Sequence, residues 1–134
     1  MGLAAPFVRK FGVNTPAAAQ AAGATTIAFR VPFAGSITKV CFFPNAPITG
    51  ANTDTRKVAV VNKGLTGSGT TEVAALQFTS GVNGVAFDEK EITLSATEAN
   101  RVVAEGDCLV IASTAVGAGL ADPGGHFEIE LSRA

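Results

Sequence analysis

From Thr25 the chain alternates apolar and polar residues with a period of two, the spacing of a half-buried strand. Ile27, Phe29 and Val31 alternate with Ala28 and Arg30, and the break at PFAG (32–35) ends this run. Ser36 to Phe43 predicts a second strand, with Ile37, Lys39 and Cys41 on one face and Val40 and Phe42 on the other. The Pro/Asn/Gly-dense loop PNAPITGANTD follows, then a third strand from Thr55 to Asn62 (TRKVAVVN). A turn at 63–69 leads to a fourth strand, Thr70 to Thr79, rich in apolar residues on both faces. After a turn at 81–84, Val85 to Phe87 and Glu91 to Leu94 are short strand candidates. The tight turn Glu105-Gly106-Asp107 opens a strong strand, Cys108 to Thr114, and a Gly-rich loop (117–125) separates it from His126 to Ser132. In that last strand Phe127, Ile129 and Leu131 face inward, and Glu128 and Glu130 face outward.

Helical signals are confined to two short places. Thr15-Pro16 to Gly23 predicts one helical turn, with Thr15 as cap, Pro16 at the first helical position and Gly23 as stop. Ser95-Ala-Thr-Glu98 matches a capping box able to open a single turn. With about eight strands and no helical crossover, the pairing must be antiparallel. The fold class is all-β: an antiparallel β-sandwich or jelly roll, preceded by an extended N-terminal arm. The division is 1–23 for the arm and 24–134 for the sandwich domain. The arm is too short to stand alone in water, so it must lie on its own domain or on a neighbour. Residues 1–14 are expected to be dispensable for folding.

Composition narrows the function. The chain has 134 residues, one domain's worth, with 47% apolar and only 16% charged residues. It is too aliphatic for a disordered chain. Its net charge of −1 argues against a nucleic-acid binder. No apolar run approaches the roughly 18 residues of a membrane helix. The start, MGLAAPFVRK, lacks the basic head and apolar stretch of a signal peptide, and Pro6 stands where a myristoylation signal wants Ser or Thr. Charge is unevenly placed. Residues 1–53 hold Arg9, Lys10, Arg30 and Lys39 and no acid, giving +4; the remainder holds 6 bases and 11 acids, giving −5. Either chance or a basic N-terminal segment meeting an acidic surface not its own accounts for this split.

Catalytic chemistry has few candidates. The single histidine, His126, opens the last strand and has no nucleophile motif beside it. Cys41 and Cys108 sit inside apolar runs and read as free buried thiols rather than a disulfide. No C-x-x-C pair or His cluster predicts zinc, and Asp88, Glu89 and Glu91 lack the spacing of a calcium loop. The Gly64–Gly69 stretch resembles a phosphate cradle only in composition, joining two strands without the Lys-Ser/Thr ending. Neither metal nor cofactor is expected, and a cupin-type enzyme would need more than one His. With no Trp and no Tyr, a sugar-binding or stacking pocket is disfavoured. The one patch mixing aromatics with bases is Phe7-Val8-Arg9-Lys10-Phe11.

Several stretches in order carry a resemblance: FAGSITKV (33–40), TRKVAVVNKG (55–64), EVAALQF (72–78), ITLSATEANRVVAEGDCL (92–109) and STAVGAGLADPGGHFEIE (113–130). Together they resemble the small jelly-roll decoration, or cement, proteins of tailed bacteriophage capsids, particularly those of actinobacteriophages. The resemblance covers roughly residues 24–134. It implies a homotrimer on the outer capsid at three-fold positions, clamping neighbouring major capsid proteins, after synthesis in the host cytoplasm. An N-terminal arm is commonly part of such a grip, which makes Phe7, Val8, Arg9, Lys10 and Phe11 the candidate capsid-binding residues. The alternative is a phage tail fibre, spike or other receptor-binding module, using loops 44–54 or 117–125. Neither reading is an enzyme or involves nucleic acid or membrane.

Overall fold

A computed structural model describes residues 7–133, so residues 1–6 of the expected arm lie outside the described residues. Nine strands and one helical turn follow in order: β1 (Val8–Thr15), β2 (Ala24–Arg30), β3 (Gly35–Pro44), β4 (Thr55–Asn62), β5 (Thr71–Gln77), β6 (Lys90–Glu91), α1 (Glu98–Arg101), β7 (Val102–Val103), β8 (Cys108–Val116) and β9 (Gly125–Arg133). The pairings are nested: β1 with β9, β2 with β8, β3 with β6 and β7, β4 with β5. One long antiparallel ribbon has therefore been rolled up. Rolling adds the pairs β3–β9 and β4–β8, giving the sheets β1-β9-β3-β6, with β7 also on β3, and β2-β8-β4-β5. This is the jelly roll, made of two packed sheets with Greek-key connections. Its core lies between them and includes Val40, Phe42, Val60, Ile111, Phe127 and Ile129.

Strand phase follows the expected alternation where the ladder is regular and departs from it at bulges. In β9, Phe127, Ile129 and Leu131 are buried, as the period predicts. In β3 a register shift between Ile37 and Lys39 adds a residue, so Ile37, Val40 and Phe42 all face the core. Lys39 and Cys41 thus share the outer face, from which the bulge has removed Ile37. In β2 a shift between Ile27 and Phe29 has the same consequence. Phe29 packs on the core while Ile27 is turned outward, 69% exposed. Val85 to Phe87 forms a turn rather than a strand.

The N-terminal segment also departs from expectation. Val8–Thr15 is not a loose arm: it pairs with β9 along its whole length, and Phe11 and Val13 pack against the core. Of the two supports open to it, the segment uses its own domain. Removing residues 1–14 would strip most of β1 from the sheet, so they are not a dispensable appendage. No helical turn forms at 15–23. Thr15 remains in the ladder opposite Gly125, and Ala18 bridges to Asp122. Both backbone groups of Ala18 are spent on Asp122, so its carbonyl is closed to the Ala22 N–H, which donates to Ala19 in a single tight turn. The carbonyls of Ala19, Gln20 and Ala22 accept hydrogen bonds from the fully buried Arg56. Gly119 fits this arrangement: at φ +82° it carries no Cβ where one would lie 2.0 Å from the Gln20 carbonyl oxygen.

The capping-box turn does form, two residues late. Ser95 still donates its backbone N–H to Val73 across the sheets, so the helix begins at Glu98, with Thr97 as its N-cap. The Ser95 hydroxyl accepts instead from the Thr97 N–H and the Asn100 amide.

Candidate interaction surface

The two sides of the sandwich are built differently. On one side the segment 92–95 stitches the sheets together. The Ile92 N–H donates to Val40 in one sheet, and the Thr93 carbonyl accepts from Ala75 in the other. On the opposite side β1 and β2 are both edge strands with no further strand beside them among the described residues. There the sheets meet through Phe11 and Phe29, stacked at 4.0 Å between ring centroids.

The five candidate residues sit on this open side, but the pleat divides them. Phe7, Arg9 and Phe11 project toward the gap between the sheets. The Phe7 ring meets Phe33 edge-on at 5.2 Å, and the Arg9 guanidinium lies 5.5 Å from the Phe11 ring centroid. Val8 and Lys10 project to the outer face, where Lys10 reaches Glu128 at 4.0 Å. They form no single apolar patch. Two residues absent from the sequence reading complete the inner-facing group: Phe33, at the break after β2, and Arg133, whose guanidinium stands 5.3 Å from Phe7 and 4.7 Å from Phe33. Arg133 lies more than a hundred positions from Phe7, and only the β1–β9 register brings them together.

The uneven charge along the chain is partly resolved within the fold. Lys10 faces Glu128 and Lys39 faces Glu89 at 3.5 Å, so two of the four N-terminal bases meet the protein's own acidic half. Arg9 and Arg30 have no carboxylate within ion-pair distance among the described residues, and Arg30 donates instead to the Gly106 carbonyl at 3.3 Å.

The two outer faces contrast. That of the five-stranded sheet is charged, with Lys10, Lys39, Glu89, Glu128 and Glu130 around the buried thiol of Cys41. Cys41 donates to a Glu89 carboxylate oxygen at 3.1 Å. Burial first, and then this bond, push the thiol up to about 11, so it is held protonated and unreactive. The same bond, with Lys39, holds Glu89 below the usual carboxylate range, and Cys41 and Glu89 raise Lys39. Cys108 is also a free thiol. His126, on this face, shares a 2.8 Å hydrogen bond with Asn14 and has Gly12 beneath its ring. No group of three or more His, Cys, Asp or Glu able to hold a metal occurs among the described residues.

The four-stranded sheet carries an apolar stripe on its outer face as well as an apolar inner face. Val58, Val60, Leu109 and Ile111 point inward, while Ala59, Val61, Val110 and Ala112 point outward on the same strands. Ile27, Val110 and Val61 occupy one rung across β2, β8 and β4. Lys57 and Glu72 pair with each other at 2.8 Å across the Ala59–Ala75 rung. Antiparallel sheets that face water on one side carry polar residues there; here Thr25, Lys57, Glu72 and Thr114 border a central apolar stripe. A further apolar feature is the turn after β5, where Val85 and Phe87 stand exposed and Phe87 has φ +63°.

No protein-family model and no curated protein matches the chain. Among solved structures, one of infectious bursal disease virus, Gx strain, aligns with 12% identity and a TM-score of 0.38. The alignment covers 94% of this chain and 32% of that chain, so the protein spans about a third of its length. A likeness of that size carries no argument about fold or function.

Proposed function

We propose that this protein is a structural component of a phage particle. It would decorate the outer capsid surface and hold neighbouring major capsid proteins together, as a trimer at three-fold positions. The observation that carries the reading is the outer face of the four-stranded sheet. Its rung Ile27–Val110–Val61 is apolar, the nearby Lys57 is neutralised by Glu72, and it is flanked by β2, whose outer edge pairs with no strand among the described residues. An apolar stripe on an outer sheet face, rimmed by polar residues, suits contact with another protein. The ordered run of sequence motifs supports the same reading. The mechanism is burial of this face against shell subunits, each copy adding a modest contact and the repeating shell supplying avidity.

Electron cryo-microscopy of particles assembled with and without the protein tests this. The expected difference is density at the three-fold positions, with a copy number in the hundreds and greater resistance of decorated particles to heat. Density confined to the tail, at a few copies per particle, would identify a fibre or spike module instead.

A further inference from the structure

We propose that the free edge of β1 is a docking site for an extended, acidic peptide segment of a partner protein, added as a further strand of the five-stranded sheet. Two independent features of the edge define that ligand.

The first is the backbone. The Arg133 N–H donates to the Phe7 carbonyl at 2.8 Å, which fixes the phase of the β1–β9 ladder. Phe7, Arg9, Phe11 and Val13 direct their N–H and C=O groups to β9. Those of Val8, Lys10, Gly12 and Asn14 therefore point to the open side. A row of alternating donors and acceptors eight residues long is the template used in strand addition.

The second is charge. Arg9 lies over Phe11, whose ring stacks on Phe29, and Arg133 lies over Phe7 and Phe33. Neither arginine has a carboxylate within ion-pair distance among the described residues, whereas Lys10, Lys39 and Lys57 do. A guanidinium held against a ring keeps its N–H edges free and loses little freedom on binding a carboxylate through two of them. Carboxylates on alternate residues of an added strand would fall on the face that carries Arg9. The stacked rings and arginines also suit single-stranded nucleic acid. The carbonyls of the edge favour a peptide, because they need backbone N–H donors that a phosphodiester backbone does not have.

The inference is separate from capsid decoration, which rests on the other sheet. The test is fluorescence anisotropy with a labelled alternating glutamate–valine octapeptide. It is expected to bind, to weaken as salt rises, and to lose about tenfold in affinity with Arg9→Gln or Arg133→Gln. Arg9→Lys, which keeps the charge, should recover part of the loss if the fold is intact. The lysine–valine counterpart should not bind. Methylating the amides of alternate residues gives two peptides, and only the one whose methyls point at β1 should fail. Equal binding of the acidic and basic peptides, equal binding of both methylated peptides, or tighter binding of oligothymidylate would overturn the proposal. A negative result here alongside decorated capsids would leave the structural role standing and remove only the acidic-strand site.

Discussion

The guanidinium of Arg56 closes on the backbone carbonyl of Leu120, with Nε at 2.8 Å and Nη2 at 2.6 Å. The same side chain holds the carbonyls of Ala22 at 2.7 Å and Ala19 at 2.9 Å, and lies 3.4 Å from the Ser113 hydroxyl. Ser113 in turn donates to Asp122 at 2.6 Å, and Asp122 accepts the Gly124 N–H at 2.8 Å. A buried arginine thus ties the link between β1 and β2 to the loop between β8 and β9. Burial lowers its proton affinity and Asp122 opposes this, but a guanidinium stays charged. Arg56→Met should cost about 3 kcal/mol, because it leaves several buried carbonyls and Asp122 without their cation. Urea unfolding of the two proteins measures this. A loss below about 1 kcal/mol would mean that water replaces the guanidinium.

The stacked pair Phe11 and Phe29 is the main bond between the sheets on the open side. Each single change to Ala should destabilise by about 2 kcal/mol, since both rings are only partly buried. The double variant should lose less than the sum, with a coupling of about 1 kcal/mol from ring–ring contact. Thermal or urea unfolding of the four proteins gives the coupling directly. Strict additivity would show that the rings are neighbours without interaction.

Cys41, Lys39 and Glu89 set the pH dependence of stability. In the unfolded chain the Cys41 thiol ionises near its ordinary 9.0; in the fold it ionises near 11. The stability contributed by the bound proton is complete below the lower value and is lost as pH rises through the upper. Lys39, raised above its ordinary 10.5, adds loss at higher pH still. Glu89, held low, has the opposite sign and loses its contribution as pH falls through the acid range. Cys41→Ala should therefore flatten the alkaline decline between about 9 and 11, read as urea midpoints against pH. Parallel profiles for the two proteins would sink the assignment to Cys41.

Phe87 holds a left-handed conformation that side chains rarely adopt, φ +63°, while 77% exposed. Its own N–H is used, donating to the Pro44 carbonyl at 2.8 Å. Nothing in the packing rewards the ring, so Phe87→Gly should stabilise the protein by up to about 1 kcal/mol through relief of strain. Destabilisation in the same unfolding assay would show that the ring has an internal partner.

Much of the fold was legible in the residues, and what was not has identifiable causes. The β9 alternation reads correctly because its ladder has no bulge and its outward partners are charged. The reading of Ile27 and Ile37 fails because one inserted residue reverses strand phase, and no side chain in TIAF or SITK announces it. The expected helical turn at 15–23 has sound local signals. A bridge from Ala18 to Asp122, more than a hundred residues away, overrides them by using both backbone groups of Ala18. Arg56 itself looks like any outward base in TRKVAVVN; only the three-dimensional register shows that it points inward with Val58 and Val60. The site was half legible. Phe7 to Phe11 stood out by composition, but Phe29, Phe33 and Arg133 reach them through pairings that only the nested ribbon creates.

Ile27 offers the sharpest separation of folding from assembly. Because it is 69% exposed, little of its surface contributes to the monomer's stability. Ile27→Thr keeps a β-branched side chain and should change unfolding free energy by less than about 0.5 kcal/mol. If the outer face of the four-stranded sheet is covered in the assembled particle, the same change removes apolar surface that becomes buried there. The cost should be near 1.4 kcal/mol per contact, about tenfold in affinity. In a shell with many copies this appears as reduced occupancy rather than complete loss. Lys10→Thr, on the charged face of the other sheet, serves as the control, since Lys10 gives up only an exposed pair with Glu128. Sedimentation of particles with each variant measures bound copies. Occupancy reduced by Ile27→Thr and retained by Lys10→Thr places the contact on the four-stranded sheet; the reverse pattern would move it to the five-stranded one.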